Sequence, residues 1–410
     1  MREMRDSGIE WIGKIPVDWA TTRIGNLFRF SSGDSLTNEE MQDEGLYKVY
    51  GANGPRGYYH HTNLAGKHIL IGRVGALCGN IHVVDEPVWV TEHALIAKQI
   101  SPDVCTDFAG RVFESMNLGQ YSKASAQPVI ASSVVQRLQI PIPPSLEQRR
   151  IADYLDRKCS QIDAIIARQQ EVIEKLKAYK LSVITETVTK GLNPDVPMKD
   201  SGVEWIGEIP EHWKIGKLSF FTVQIGDGLH GTPEFDDKGE YYFINGNNLG
   251  DTYITIREST KSVSSDEYNK YFIALNENTL LISLNGTIGN VSQYHGEQII
   301  LGKSAGYIIV DSRRELTVDY LKFYLQSKSV KTLFELSFAG TTISNLSLET
   351  LRNLPVCIMT SEEQFHIAKL LDKKSTKIDQ VIQKKQLTID KLSEYRKSLI
   401  YEVVTGKKEV

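Results

Sequence analysis

Asp-Ser-Gly-Ile-Glu-Trp-Ile-Gly-Lys-Ile-Pro-Val-Asp-Trp, residues 6–19, returns as Asp-Ser-Gly-Val-Glu-Trp-Ile-Gly-Glu-Ile-Pro-Glu-His-Trp at residues 200–213, with 10 of 14 positions identical. A long internal period outranks every other signal, because missing it miscalls the whole fold. A second stretch, Glu147 to Thr189, recurs 216 residues later from Glu363 to Thr405. Matched residues include Gln148/Gln364, Asp156/Asp372, Asp163/Asp379 and Glu186/Glu402. The chain therefore runs motif, variable block, helical segment, and then all three again. The two blocks barely resemble each other, apart from a glycine-bearing turn (Leu70–Gly75 against Leu281–Gly286) and a proline junction at each end (Ile140–Pro144 and Leu354-Pro355). Frames that agree around centres that differ imply one job done twice and two different jobs between.

The framing segments carry strict 4-3 spacing. Ile151, Leu155, Lys158, Ile162, Ile165, Gln169, Val172, Leu176, Tyr179 and Val183 are matched by Ile367, Leu371, Lys374, Ile378, Val381, Lys385, Thr388, Leu392, Tyr395 and Leu399. Mostly apolar residues at such positions predict a coiled-coil seam. A 40-residue helix is about 60 Å long, too long to hide inside one domain. The second helix starts from the second block and returns toward the beginning of the chain. This predicts antiparallel pairing, adjacent termini and a pseudo-twofold internal repeat. A solvated face on a bent helix is the alternative.

Bulk properties narrow the class. At 410 residues the chain suits two or three domains. No run approaches the ~20 apolar residues that cross a bilayer, and the first residues lack the apolar core of a secretory signal. Membrane insertion is not expected, and a cytoplasmic protein is. Cys78, Cys105, Cys159 and Cys357 have no CxxC spacing, so neither a zinc site nor a disulfide framework is expected. The formal net charge is −4, and residues 192–362 hold 22 acidic against 14 basic side chains. Any hold on nucleic acid must come from local patches.

The chain resembles the specificity subunit of type I restriction-modification systems, over essentially its whole length. The likeness rests on Glu-Trp-Ile-Gly-x-Ile-Pro at 10–16 and 204–210, Pro-Pro-x-x-Glu-Gln at 143–148, Ser-Glu-Glu-Gln at 361–364 and the Gly-Asn-Gly stretches inside the blocks. It implies two α/β (mixed α+β) target-recognition domains, at 1–145 and 192–361, separated by two long spacer helices at 146–191 and 362–410 that pack as an antiparallel coiled coil. Each domain would read one half of a bipartite asymmetric double-stranded DNA site. The helices would dock two modification (methyltransferase) subunits, which carry S-adenosylmethionine, so no cofactor is expected on this chain. A restriction/translocase subunit is a further implied partner. Ile151, Leu155, Ile162, Ile165, Leu176 and Tyr179, with Ile367, Leu371, Ile378, Val381, Leu392 and Tyr395, are the expected helix–helix or partner interface.

Base readout needs paired donors and acceptors on loops that enter a groove. In block one the candidates are Asn53, Arg56, Tyr58, Tyr59 and His60 in a glycine-punctuated loop, Arg73 between Gly72 and Gly75, and Lys123, Ser125 and Gln127 before Pro128. Block two offers Asp227, His230 and Thr232 in Gly226-Asp227-Gly228-Leu229-His230-Gly231-Thr232-Pro233. This resembles an Asp-Gly-Thr-His-x-Thr-Pro element of the family, with Leu229 in place of the usual threonine. Asn245, Asn247, Asn248, Asn285, Thr287, Lys303, Thr341 and Thr342 complete the set. Local turn-making competes with DNA contact at each asparagine.

An enzyme reads poorly. Gly302-Lys303-Ser304 mimics the end of a phosphate-binding loop, but GxxxxGK[ST] requires glycine where Glu297 stands. Glu234, Asp236 and Lys238 are too close together for a nuclease hairpin. No Asn/Asp-Pro-Pro-Tyr/Phe methyltransferase stretch occurs, and the nine histidines lack metal-ligand spacing. A non-catalytic DNA-recognition subunit is expected. A helical scaffold without DNA sequence preference is the alternative.

Overall fold

The computed structural model describes residues 2–122, 127–250, 253–337 and 345–410. It divides into two compact units, Met1–Gln170 with Gln386–Val410, and Glu171–Lys385. Each unit holds one variable block and a part of both long helices, Ser145–Lys190 and Ser361–Val404.

The repeated motif folds as a hairpin in both units. Met4–Asp6 pairs with Lys14–Pro16, and Met198–Asp200 pairs with Glu208–Pro210 in the same register. Gly8 and Gly13 hold φ of 70° and 71°, and Gly202 and Gly207 hold 74° and 72°, a region other residues rarely enter. The hairpin drives Ile12, Ile15 and Trp19, or Ile206, Ile209 and Trp213, into the core. Trp19 Nε1 then donates to Glu147 at 3.1 Å, and Trp213 Nε1 donates to Glu363 at 3.0 Å. The neighbouring glutamines are buried too. Gln148 Nε2 donates to the Pro143 and Asp103 carbonyls while its Oε1 accepts from the Cys105 amide. Gln364 repeats this with the Met359 and Glu315 carbonyls and the Thr317 amide. Cys105 and Thr317 precede the helices Thr106–Ser115 and Val318–Gln326. A Glu-Gln pair at the start of each long helix thus ties the motif and the block to that helix.

The blocks share little sequence and one topology. In the first, an antiparallel sheet is ordered Phe28–Ser32, Ala94–Gln99, His68–Gly72, Ile81–Val84. In the second the order is Thr222–Asp227, Ala305–Val310, Thr279–Ser283, Val291–Gln293. A three-stranded sheet accompanies each. Tyr47–Gly51 pairs antiparallel with Gly54–Tyr59 and parallel with Trp89–Val90. Tyr241–Ile244 does the same with Ser262–Val263 and Ile299–Leu301. Buried β-branched and leucine runs such as Ile69–Ile71 and Leu280–Ile282 fill the cores.

In the first unit, Ile151, Leu155 and Ile162 share a core with Leu399, Ile400 and Val403. In the second, Ile184 and Val188 share one with Ile367 and Leu371. In both, one helix begins where the other ends, so the segments run antiparallel. Tyr401 Oη donates to the Trp11 and Ile12 carbonyls at 3.2 and 3.3 Å, and Lys407 Nζ reaches the Ile12 carbonyl at 2.8 Å. Both ends of the chain therefore belong to the first unit.

The expected seam holds at Ile151 and Ile367 and at every second position from Leu155 and Leu371, and runs one residue early at the remaining ones. Leu155, Ile162, Leu371 and, half-buried, Leu176, Ile378 and Leu392 point inward. Ile165, Tyr179, Val381 and Tyr395 do not, being 46%, 56%, 42% and 52% exposed. The buried line passes instead through Cys159, Ile166, Ile173 and Lys180, and through Ser375, Ile382, Ile389 and Arg396. This phase keeps Lys374 and Thr388 exposed and draws Lys158 only half inward, avoiding unpaired buried charge. Two of the half-buried cations, Lys180 and Arg396, are paired across the helices. Lys180 bonds both oxygens of Asp379 at 2.8 and 2.9 Å, and its repeat counterpart Arg396 pairs with Asp163 at 2.9 Å.

Two measurements check this packing. Ile162→Asp puts a charge at a 7%-exposed position and is expected to cost more than about 3 kcal/mol, whereas exposed Ile165→Asp should stay within about 0.5 kcal/mol. Equal shifts in urea unfolding would contradict the seam. Gln364→Ala strands the Thr317 amide and two carbonyls and should lower stability by about 1–3 kcal/mol.

Candidate nucleic-acid interface

In the first unit, strand His68–Gly72 ends under the turn Gly51–Gly54. A Cβ on Gly72 would lie 2.2 Å from the Ala52 carbonyl oxygen, so only glycine permits this approach. Arg73 follows. Its amide donates to the His93 carbonyl at 2.8 Å, its carbonyl accepts from the Ile130 amide at 2.9 Å, and its Nη1 donates to Ser32 Oγ at 2.9 Å. Asn53 Oδ1 accepts from Asn80 Nδ2 at 3.1 Å on the same corner. The other block-one candidates lie along strand Gly54–Tyr59 and just beyond it. Arg56 is exposed and donates to Asn38 Oδ1 at 2.7 Å, and Tyr58 pairs through its backbone with Gln42. Tyr59 packs edge-on to Trp89 with ring centres 5.0 Å apart, and lies 4.2 Å from exposed His60. Gln127 is exposed. Lys123 and Ser125 lie outside the described residues.

The second unit builds the same corner from other residues. A Cβ on Gly228 would meet the Leu301 carbonyl oxygen at 2.1 Å. Asp227 Oδ2 and His230 Nε2 are 2.6 Å apart, and Thr232 is exposed. Asn248 is 8% exposed, and its side chain accepts from the Asn245 amide and donates to the Thr255 carbonyl. Asn245 Oδ1 accepts from Ser304 Oγ at 2.8 Å. Those two asparagines shape the turn that presents exposed Asn247. Asn285 forms a backbone bridge with Asn345, while Thr287 and Lys303 are exposed. Thr341 and Thr342 lie outside the described residues.

Backbone hydrogen bonds match one for one. Arg73–His93 corresponds to Leu284–Ser304, Ile130–Arg73 to Leu346–Leu284, and Gly33–Ala94 to Gly228–Ala305. The correspondence exposes residues that the sequence reading omitted, namely Ser32, Asp34 and Thr91–His93 in block one. Gly33 stands 14 residues after Trp19 and Gly228 stands 15 after Trp213, and that spacing was the available signal. Among the described residues no group of three or more His, Cys, Asp or Glu side chains is placed to hold a metal ion, and no helix is long and apolar enough to cross a membrane.

His82 packs beneath Gly54, whose added Cβ would fall 2.8 Å from its Cε1. Burial lowers the His82 pKa below 6.5, opposed by the charge of Glu114. An unfolded chain takes up this proton first, so the first unit should lose stability as pH falls below 6.5. His82→Asn should flatten that part of the unfolding-versus-pH curve.

A family described as "Type I restriction modification DNA specificity domain" matches residues 16–175 and 210–391. The chain is 24% identical over 418 aligned residues to the type I restriction enzyme MjaVIII specificity subunit of Methanocaldococcus jannaschii, covering 96% of this chain and 94% of that relative. It is 34% identical over 138 residues to the EcoprrI specificity subunit of Escherichia coli, covering 33% of this chain and 34% of that relative. A solved chain described under complex assembly and conformational transition of the type I R-M system superposes with a TM-score of 0.64 at 15% identity, covering 96% and 99% of the two chains.

Proposed function

Since the chain belongs to the type I restriction-modification DNA specificity family, we propose that it is the non-catalytic subunit that selects the DNA sequence a methyltransferase complex modifies. Two sheet-end corners with the same backbone and different side chains carry the reading. Arg73, Asn53 and Ser32 occupy one, and exposed Asn247 and Lys303 the other, where buried Leu284 stands in the place of Arg73. Two chemically different corners suit two unlike half-sites, because Arg favours guanine and Asn favours adenine. Double-stranded DNA and two methyltransferase subunits are the partners, with a restriction subunit as a further one. S-adenosylmethionine belongs on the methylating partner. The outward-facing Ile165, Tyr179, Val381 and Tyr395 are available to partners, since the helix pair does not cover them.

Sequencing methylated bases in a host carrying this chain and its partners should return a bipartite motif. Replacing residues 20–140 with the matching block of a relative should change one half only. A complex that binds DNA with no sequence preference would favour a plain helical scaffold. Binding by the proposed complex should weaken steeply with salt.

A further inference from the structure

Among the described residues eight buried polar side-chain atoms lack a hydrogen-bond partner, all in the first unit, and three of them adjoin at one corner. These three are Arg73 Nε, Thr91 Oγ1 and Glu92 Oε2. Thr91 is only 1% exposed. The three residues adjoin through the backbone. Arg73 donates to the His93 carbonyl at 2.8 Å, and the Ala94 amide closes the turn onto the Thr91 carbonyl at 3.0 Å. The close approach of Gly33 to the Val90 and Thr91 carbonyls, where a Cβ would fall at 2.2 and 2.6 Å, presses the neighbouring loop onto this turn. Native proteins satisfy nearly all such groups, and the exceptions need an explanation.

The equivalent corner of the second unit is satisfied. Leu284, Gly302 and Lys303 take the places of Arg73, Thr91 and Glu92, and Ser304 Oγ donates to Asn245 Oδ1 while accepting from the Gly246 amide. The frame therefore does not demand unpaired groups. They belong to the side chains of block one.

We infer that Arg73 and Glu92 together read a G·C base pair in the half-site recognised by the first unit, an inference that rests on the DNA-specificity reading above. The chemistry is complementary. Guanine offers N7 and O6 as acceptors to a guanidinium, and the paired cytosine offers its N4 amino group as a donor to a carboxylate. Ser32 Oγ holds Nη1 and so orients the guanidinium. Arg73 Nε, Glu92 Oε2 and Thr91 Oγ1 are all enclosed, so contact with bases falls to the outer ends of the Arg73 and Glu92 side chains. The Glu92 side chain is 39% exposed, with Oε1 3.6 Å from His93 Nε2. Thr91 is a positioning residue. Leu284 and Lys303 cannot make the same pair of contacts, so the second half-site lacks this reader.

The test uses the full chain with its methylating partners. Wild type, Glu92→Gln and Arg73→Lys are compared by methylated-base sequencing, and the purified complexes by competition binding to duplexes carrying every single-pair change in both half-sites. Each variant should lose about tenfold to hundredfold of its preference at one G·C position of one half-site. The other half-site, and co-purification with the partners, should be unchanged. An unaltered preference ranking in both variants would overturn the assignment whether or not methylation survives, as would changes in both half-sites. A wild-type complex without any bipartite motif would instead sink the specificity reading itself, so the two failures are distinguishable.

Discussion

A glutamate that accepts from a buried tryptophan indole, beside a buried glutamine that bonds to the backbone, is the interaction on which both units depend. Glu147 and Gln148 sit in the first turn of one long helix, and Glu363 and Gln364 in the first turn of the other. Each glutamate fixes the hairpin that precedes its block, and each glutamine fixes the start of a helix within that block. An amide side chain is suited to this because it donates and accepts at once. Without the pair, the hairpin, the block and the long helix would be joined mainly by apolar contact, which has little directional preference. The far ends of the helices are finished just as specifically. Gly191 and Gly406 adopt φ of 76° and 71°, and a Cβ on either would stand 3.2 Å from Trp213 or Trp19. Each tryptophan is thus held between the beginning of one long helix and the end of the other.

Much of this was legible in the residues. The repeated Glu-Trp-Ile-Gly motifs and the Glu-Gln helix starts gave the two-unit order because their function is carried by particular side chains. The long helices were equally plain. Their seam was legible only at alternate positions, since adjacent apolar pairs such as Ile165-Ile166 and Val381-Ile382 fit either phase of a 4-3 lattice. What decides between phases is the cost of taking Lys374 inward against the ion pairs open to Lys180 and Arg396, and those pairs depend on a partner helix about 200 residues away.

The corner loops were harder. Asn245 and Asn248 look like base readers in a string of letters, yet they brace a turn, while the exposed Asn247 between them is presented. Ser32, Asp34 and Glu92 carry no motif at all. Their place emerges from strand register, because they occupy the same backbone positions in the first unit as Asp227, Leu229 and Lys303 in the second, with equivalent backbone bonds and no identity. The common topology of the blocks was hidden for the same reason: their sheets are specified by alternation and buried volume, which many sequences satisfy.

The backbone bonds that assemble each corner have a consequence for how such a protein changes over time. Arg73 and Leu284 occupy equivalent positions with the same amide and carbonyl partners, so the architecture at that point does not depend on which side chain is attached. A mutation at partly exposed Arg73 alters what the surface offers without disturbing those backbone bonds, whereas Leu284 is 3% exposed and packed into the second unit's core. Under the proposed DNA-reading role, drift in target preference at the first corner is then decoupled from the risk of misfolding, and a population can explore new recognition sequences there by single steps through folded intermediates.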